Sequence, residues 1–267
     1  MASVTDEASA AAKDIWSNVI NHCTDTDSTK SNDLIRYLTE MKEIYASFDF
    51  RMAYDHDDGT ITSVVRMISV MRSSLEKFGQ YITLDAMKHK FNTLLWPYFA
   101  PALMREDRSI CIACEAIAIS ECHDAYKYIV NSMFDMAPNA CRKDVLIVAA
   151  DGIMDNNFVR NELQLPNAHF IEDIWHLLNS VLPKTFGKYK FSKMKNDVET
   201  MIQAKNESDF DRFALVVRQH VAGSADMLKK YENLLRQRKH YAKYVLSKLP
   251  GGLGEVVRTH QNKITPV

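Results

Sequence analysis

With 267 residues, 46% of them hydrophobic and 25% charged, the chain has the balance of a globular protein with a real core. Its 8 Gly and 7 Pro exclude a collagen-like or Pro-rich design, and its 5 Cys, an odd number, read as reduced thiols rather than a disulfide framework. The net charge of −1 hides a division: residues 184–267 hold 17 Lys and Arg against 8 Asp and Glu, whereas residues 1–183 hold 16 against 26.

The N-terminal residues are acidic and amphipathic, unlike a signal or transit peptide, and residues 8–22 predict a helix. Residues 32–48 predict a second helix, with Leu34, Ile35, Leu38, Met41, Ile44 and Tyr45 at helical spacing. Residues 48–54 alternate as a strand, residues 55–59 form a turn, and residues 64–78 look helical, stopped by Gly79. Residues 81–84 are a β-type run ending on Asp85. Residues 95–103 and 110–119 are further strand candidates around a polar turn, and Pro97 and Pro101 predict an edge position or a bulge in the first. Residues 123–137 predict a helix carrying Tyr126, Ile129, Val130, Met133 and Phe134 on one face. Residues 145–150 are continuously apolar, the mark of a strand buried on both faces, and end on Asp151-Gly152. A helix to about Leu163, a short strand over 168–171 and a helix through His176 to Val181 follow. Residues 184–248 are nearly all helical, with the longest helix over about 225–248. No apolar run approaches the ~20 residues of a membrane span, so no membrane partner is expected.

Asp85 and Asp151 each follow an apolar β-type run. In open α/β sheets ligands gather beyond the carboxyl ends of the strands. Two carboxylates sharing one notch repel unless a cation is present, and Mg2+ or Mn2+ is the natural occupant. Such ions serve phosphodiester cleavage. The plainer reading is that each Asp caps a turn, above all before Gly152.

Four segments, GQYITLDAMKHKFN (79–92), CEAIAISECHDAYKY (114–128), VLIVAADG (145–152) and IEDIWHLLN (171–179), occur in one order. Together they resemble the Mutator-like (MULE) transposases, cut-and-paste enzymes with a ribonuclease H-like fold and a DDE metal triad. The resemblance runs from about residue 48 to about residue 250 and is firmest over 79–183. It implies an α/β fold with a ribonuclease H-like mixed β-sheet flanked by helices. A helical N-terminal segment (1–47) would precede the core (48–183), and a basic helical insertion or tail (184–267) would follow. It also implies Asp85 and Asp151 as the first two catalytic, metal-binding acids, Mg2+ or Mn2+ as cofactor, DNA as partner, self-association and a nuclear location.

The family's C/D-x-x-H signature is matched by Asp173-Ile174-Trp175-His176. Residues i and i+3 of a helix share a face, so the pair would hold the active-site edge; the alternative is a helix-capping Asp and a core His. The family's Asp-x-Thr at the first acid is here Asp85-Ala86-Met87, and its third-acid segment corresponds to Thr259–Lys263, with His260 in place of the Glu. Glu255 is the nearest acid and is taken as the third, with Glu232 and Glu121 as alternatives. These departures leave open a decayed or domesticated transposase that binds DNA or protein without catalysis. The run Arg236, Arg238, Lys239 and Lys243, interleaved with Tyr241 and Tyr244, is the expected DNA-backbone contact, or else a solvated helix face. Cys111 and Cys114 lie in a strand with no second pair at zinc spacing and read as core cysteines.

Overall fold

The computed structural model describes residues 28–87, 96–105, 107, 109–150 and 154–249. The helix expected over 8–22 lies outside the described residues. The fold is mixed α/β, in two compact units. The first runs to Asp144 and includes Glu162–Gln164; the second comprises Val145–Asn161 and the chain from Leu165 on.

The first unit opens with helix α1 (Ser28–Ile44), four residues nearer the N-terminus at both ends than the hydrophobic spacing suggests. Its Leu38 and Met41 are buried against Phe48, Ile61, Val64, Tyr98 and Ile117. Strands β1 (Asp49–Tyr54) and β2 (Ile61–Met67) then form an antiparallel hairpin. In the connecting loop the Asp55 amide donates to the Thr60 carbonyl (2.8 Å), and Gly59 takes φ +72°, a conformation that favours a residue without Cβ.

The helix expected over 64–78 is therefore two elements, the end of β2 and helix α2 (Ser69–Phe78). Val64 and Val65 are fully buried and lie on opposite faces of the strand, so no one-sided helical stripe exists there. Burying each contributes about 1.5–3 kcal/mol.

Three antiparallel strands follow, each split in two. Strand β3 (Tyr81–Leu84) pairs with β6 (Ala102–Met104), and β4 (Ala86–Met87) pairs with β5 (Tyr98–Phe99). The partners Thr83↔Ala102 and Ala86↔Phe99 keep one register across the gap. The ladder lapses between them because Pro101 has no amide hydrogen to donate. On the other side, β7 (Ile110–Ile112) pairs with β6 and β8 (Glu115–Ala118) pairs with β5, with the register displaced by one residue. Cys114 is the extra residue, a bulge opposite the proline. The strand containing Pro101 is thus central, with a break, and not at an edge. Strand β8 also pairs with β2, completing a five-stranded sheet in the order β1-β2-β8-β5-β4.

Helix α3 (His123–Asp135) buries the expected face: Tyr126, Ile129, Val130, Met133 and Phe134. The Tyr126 ring meets Phe99 edge-on, with centroids 5.2 Å apart.

Three polar side chains cross the five-stranded sheet. Arg66 of β2, 2% exposed, stands opposite Glu115 of β8 and forms an ion pair with it. The Tyr98 hydroxyl of β5 donates to the other Glu115 oxygen at 2.6 Å. Burial, and then the Glu115 charge, push the Tyr98 hydroxyl pKa well above its ordinary value.

In the second unit, β9 (Ile147–Ala150) is buried on every residue, as its apolar run requires, and pairs in parallel with β10 (His169–Glu172). One helical turn between them, Phe158–Glu162, is of the wide π type. A helical run then extends from Ile174 through the π segment Leu177–Val181 to Phe186. Gly187, at φ +83°, turns the chain into α4 (Lys188–Ile202). Helices α5 (Glu207–Val221) and α6 (Ala225–Arg236) are capped by Asn206 and Ser224, whose side chains accept from the Asp209 and Met227 amides. The interior includes Phe186, Phe191, Met194, Phe210, Val217 and Tyr231.

The single helix expected over 225–248 is interrupted after Arg236. A 3-10 turn, Arg238–His240, folds the chain back, and the buried Tyr241 donates its hydroxyl to the Leu234 carbonyl at 2.9 Å. A short helix, Lys243–Leu246, follows.

Removing one partner of a buried ion pair costs about 3–5 kcal/mol, because the other charge stays buried. Arg66→Met is expected to destabilise the protein by that amount, and Arg66→Met/Glu115→Gln, which removes the stranded charge but keeps an acceptor for the Tyr98 hydroxyl, to recover part of it. Urea unfolding of the three proteins checks this; a double variant no more stable than the single would refute the pairing as the cause.

Candidate functional site

Asp85 sits in the gap of the first split strand, in register with Ala100, and its side chain is exposed. The sequence suggests a strand end at this position. In the structure the same strand resumes at Ala86, and Asp85 occupies the interruption that Pro101 creates.

Asp151 lies outside the described residues; Ala150, which precedes it, ends β9. The register pairs Glu172 with Ala150, and the Asp173 amide donates to the Ala150 carbonyl at 2.9 Å. The start of the D-x-x-H segment is therefore bonded to the residue immediately before Asp151.

Asp173 is half-buried and extended, and its Oδ1 accepts from the His176 backbone amide at 3.0 Å. The i to i+3 spacing is here that of a helix N-cap. Asp173 is thus tied to the main chain of His176 and not to its imidazole. Trp175 is 53% exposed, and its ring lies 6.4 Å from that of His176. The Asn179 side chain holds the first turn by donating to the Trp175 carbonyl at 2.9 Å.

The three candidates for a third acid fall in different settings. Glu255 lies outside the described residues. Glu232 is exposed on α6. Glu121 is half-buried just before α3, and its Oε1 accepts from the Tyr126 hydroxyl at 3.2 Å. Among the described residues no three His, Cys, Asp or Glu side chains are grouped closely enough to hold a metal ion. Two acids of the expected triad, Asp151 and Glu255, are not among those residues.

The residues of the basic run expected to track DNA have different partners. Arg236 ends α6 and donates to Asn233 at 3.4 Å. Arg238 is held by Glu207 at 3.1 Å and Asp211 at 3.5 Å, over the Phe210 ring. Lys239 is exposed on the 3-10 turn, and Lys243 donates to Gln203 at 3.1 Å. The interleaved Tyr241 and Tyr244 are buried and serve the core.

His240 packs on β10. Its Nδ1 donates to the Phe170 carbonyl at 3.4 Å, and desolvation lowers its pKa. Cys114 is fully buried and Cys111 half-buried, as expected of core cysteines, and burial raises the Cys114 thiol pKa. The sequence reading passed over the buried trio Arg66, Glu115 and Tyr98. Its only sequence signal is an Arg and a Glu inside otherwise apolar β-type runs.

The chain matches no protein-family model, and it matches none of the curated proteins. Among the described residues no helix is long and apolar enough to cross a membrane.

Asn caps a helix nearly as well as Asp, whereas Ala forfeits about 1 kcal/mol. Asp173→Ala is expected to lower stability by that amount and Asp173→Asn to leave it nearly unchanged, as measured by thermal melts. Equal losses in both variants would show that the negative charge, and not the cap, is what the fold uses.

Proposed function

We propose that this protein is a transposase-derived DDE domain of the Mutator-like type, acting on DNA by metal-dependent phosphodiester hydrolysis and strand transfer. The observation that carries the reading is the chain order of the elements. An antiparallel trio of strands with Asp85 inside the first precedes helix α3, and the parallel pair β9–β10 follows, with Asp151 directly after β9. A ribonuclease H-like core, which the motif resemblance implies, uses that order, and the finer fold assignment is part of this proposal.

The donor set suits a hard divalent cation, since the acids named are carboxylates. The Asp85 side chain is exposed, as contact with a hydrated ion requires. In this reading Asp85 and Asp151 hold Mg2+ or Mn2+, with Glu255 as the third acid and Glu121 or Glu232 as its alternatives. The ion would supply a Lewis acid that eases deprotonation of the attacking hydroxyl and neutralises charge on the leaving oxygen. Asp173 acts as a positioning residue, because the hydrogen bond from its amide to the Ala150 carbonyl and its cap fix the chain after β10. DNA as substrate carries with it a nuclear location and self-association on paired DNA ends.

A second reading, a decayed or domesticated transposase that binds without cutting, is favoured by Asp85-Ala86-Met87 in place of Asp-x-Thr and by His260 in place of the Glu.

Binding of Mg2+ or Mn2+ stabilises the folded state by mass action, about 2.7 kcal/mol at one hundred times Kd. Thermal melts with and without the ion are expected to show this for wild type and to lose it in Asp85→Asn and Asp151→Asn. Identical responses in all three proteins would rule out the shared metal site. Stabilisation without strand cleavage would select the second reading.

A further inference from the structure

Between Asp173 and Asp197 the chain carries five lysines, Lys184, Lys188, Lys190, Lys193 and Lys195, and no carboxylate. Lys184 lies on the helical run that ends at Phe186, and the other four lie on α4, which begins just after Gly187. Lys184, Lys188 and Lys193 are exposed and form no ion pair among the described residues. Acids of α4 and α6 are engaged with other partners: Glu199 with Lys195 at 3.7 Å, Asp197 with His220 at 2.8 Å and Asp226 with Lys230 at 2.7 Å. Arg238, in contrast, is neutralised by two carboxylates.

Between Lys188 and Lys193 on α4 stands Tyr189, 73% exposed. The Lys193 ammonium lies 4.3 Å from its ring centroid and helps to fix the ring's position. Ser192 and Asn196, both exposed, share its side of α4. An exposed aromatic ring with exposed cations and small hydrogen-bonding side chains is the composition of a surface that stacks a base and follows a phosphate backbone.

A membrane surface fits less well. An interfacial helix needs a free apolar face. The apolar face of α4, comprising Phe191, Met194, Val198, Met201 and Ile202, is already buried in the second unit.

We infer that Lys184, Lys188, Lys193 and Tyr189 form a binding surface for unpaired single-stranded nucleic acid. The lysines neutralise phosphates and Tyr189 stacks on a base. The inference shares its partner class with the proposed function but rests on separate observations and needs no metal.

The test is fluorescence anisotropy of the full chain in EDTA, using a labelled mixed-sequence oligonucleotide as a single strand and as its duplex. The triple variant Lys184→Gln/Lys188→Gln/Lys193→Gln is expected to bind both forms at least about tenfold more weakly. The slope of log affinity against log salt for the single strand should fall by about 2. Tyr189→Ala should weaken the single strand about tenfold and leave the duplex nearly unchanged, and Tyr189→Phe should restore binding. All four side chains are exposed, so the variants should melt with wild type, a control run alongside. Unchanged binding by the triple variant would overturn the surface. Equal effects of Tyr189→Ala on both forms would overturn the stacking role, and tighter binding to vesicles of anionic lipid than to either oligonucleotide would overturn the choice of partner. EDTA removes any divalent ion, so the binding measured here does not pass through the proposed metal acids. A failed metal response in the melts therefore leaves this inference standing, and a failure here leaves the metal reading intact.

Discussion

The first unit depends on one buried charge. Arg66 is sealed within the sheet, and its guanidinium forms an ion pair with a carboxylate directly opposite on the neighbouring strand. Side chains alternate along a strand, so a one-residue slip between β2 and β8 would turn Arg66 away from Glu115 and leave a buried charge alone. Tyr98 ties β5 to the same carboxylate. Three strands that approach from distant parts of the chain are thereby held in one alignment. An apolar core would supply comparable burial, but alternative registers would cost far less.

From that alignment the position of Asp85 follows. Strand β5 is fixed against β8, and β4 is fixed against β5. The residue preceding β4 then falls opposite the segment where Pro101 denies the ladder a donor. A proline in a central strand is ordinarily disfavoured. Here its lost hydrogen bond coincides with the Cys114 bulge on one side and with an exposed carboxylate on the other. In the second unit a different device acts on Asp173: a parallel register and a helix cap together fix a side chain of intermediate burial.

Much of this was legible from residue patterns. The β-type runs before Asp85 and Asp151, the face of α3 and the turn at Gly59 follow from burial period and turn chemistry, which are local properties. Where the outcome depended on distant partners, local pattern misled. Residues 64–67 look helical until β1 and β8 flank them on both sides, and the helix expected through 248 ends because Tyr241 must return to the core beside Leu234. The basic run at 236–243 also has a distant partner. Its charge is visible in the sequence, but the carboxylates of α5 that neutralise Arg238 lie some thirty positions away. Asp173 was legible as a capping residue and as a motif residue at once, since both require an acid three positions before His176.

The outer edge of β10 bears on behaviour at high concentration. A strand with unpaired amides and carbonyls is a template onto which another chain can add, and short strands with covered edges resist this. At Phe170, in the middle of β10, the amide is taken by the Asn156 side chain at 2.9 Å and the carbonyl by the His240 ring at 3.4 Å, with the Phe170 and His240 rings 5.3 Å apart. Two side chains from opposite sequence directions thus stand where a neighbouring strand would lie. The same contacts that close the second unit oppose fibril-like stacking of one molecule on the next.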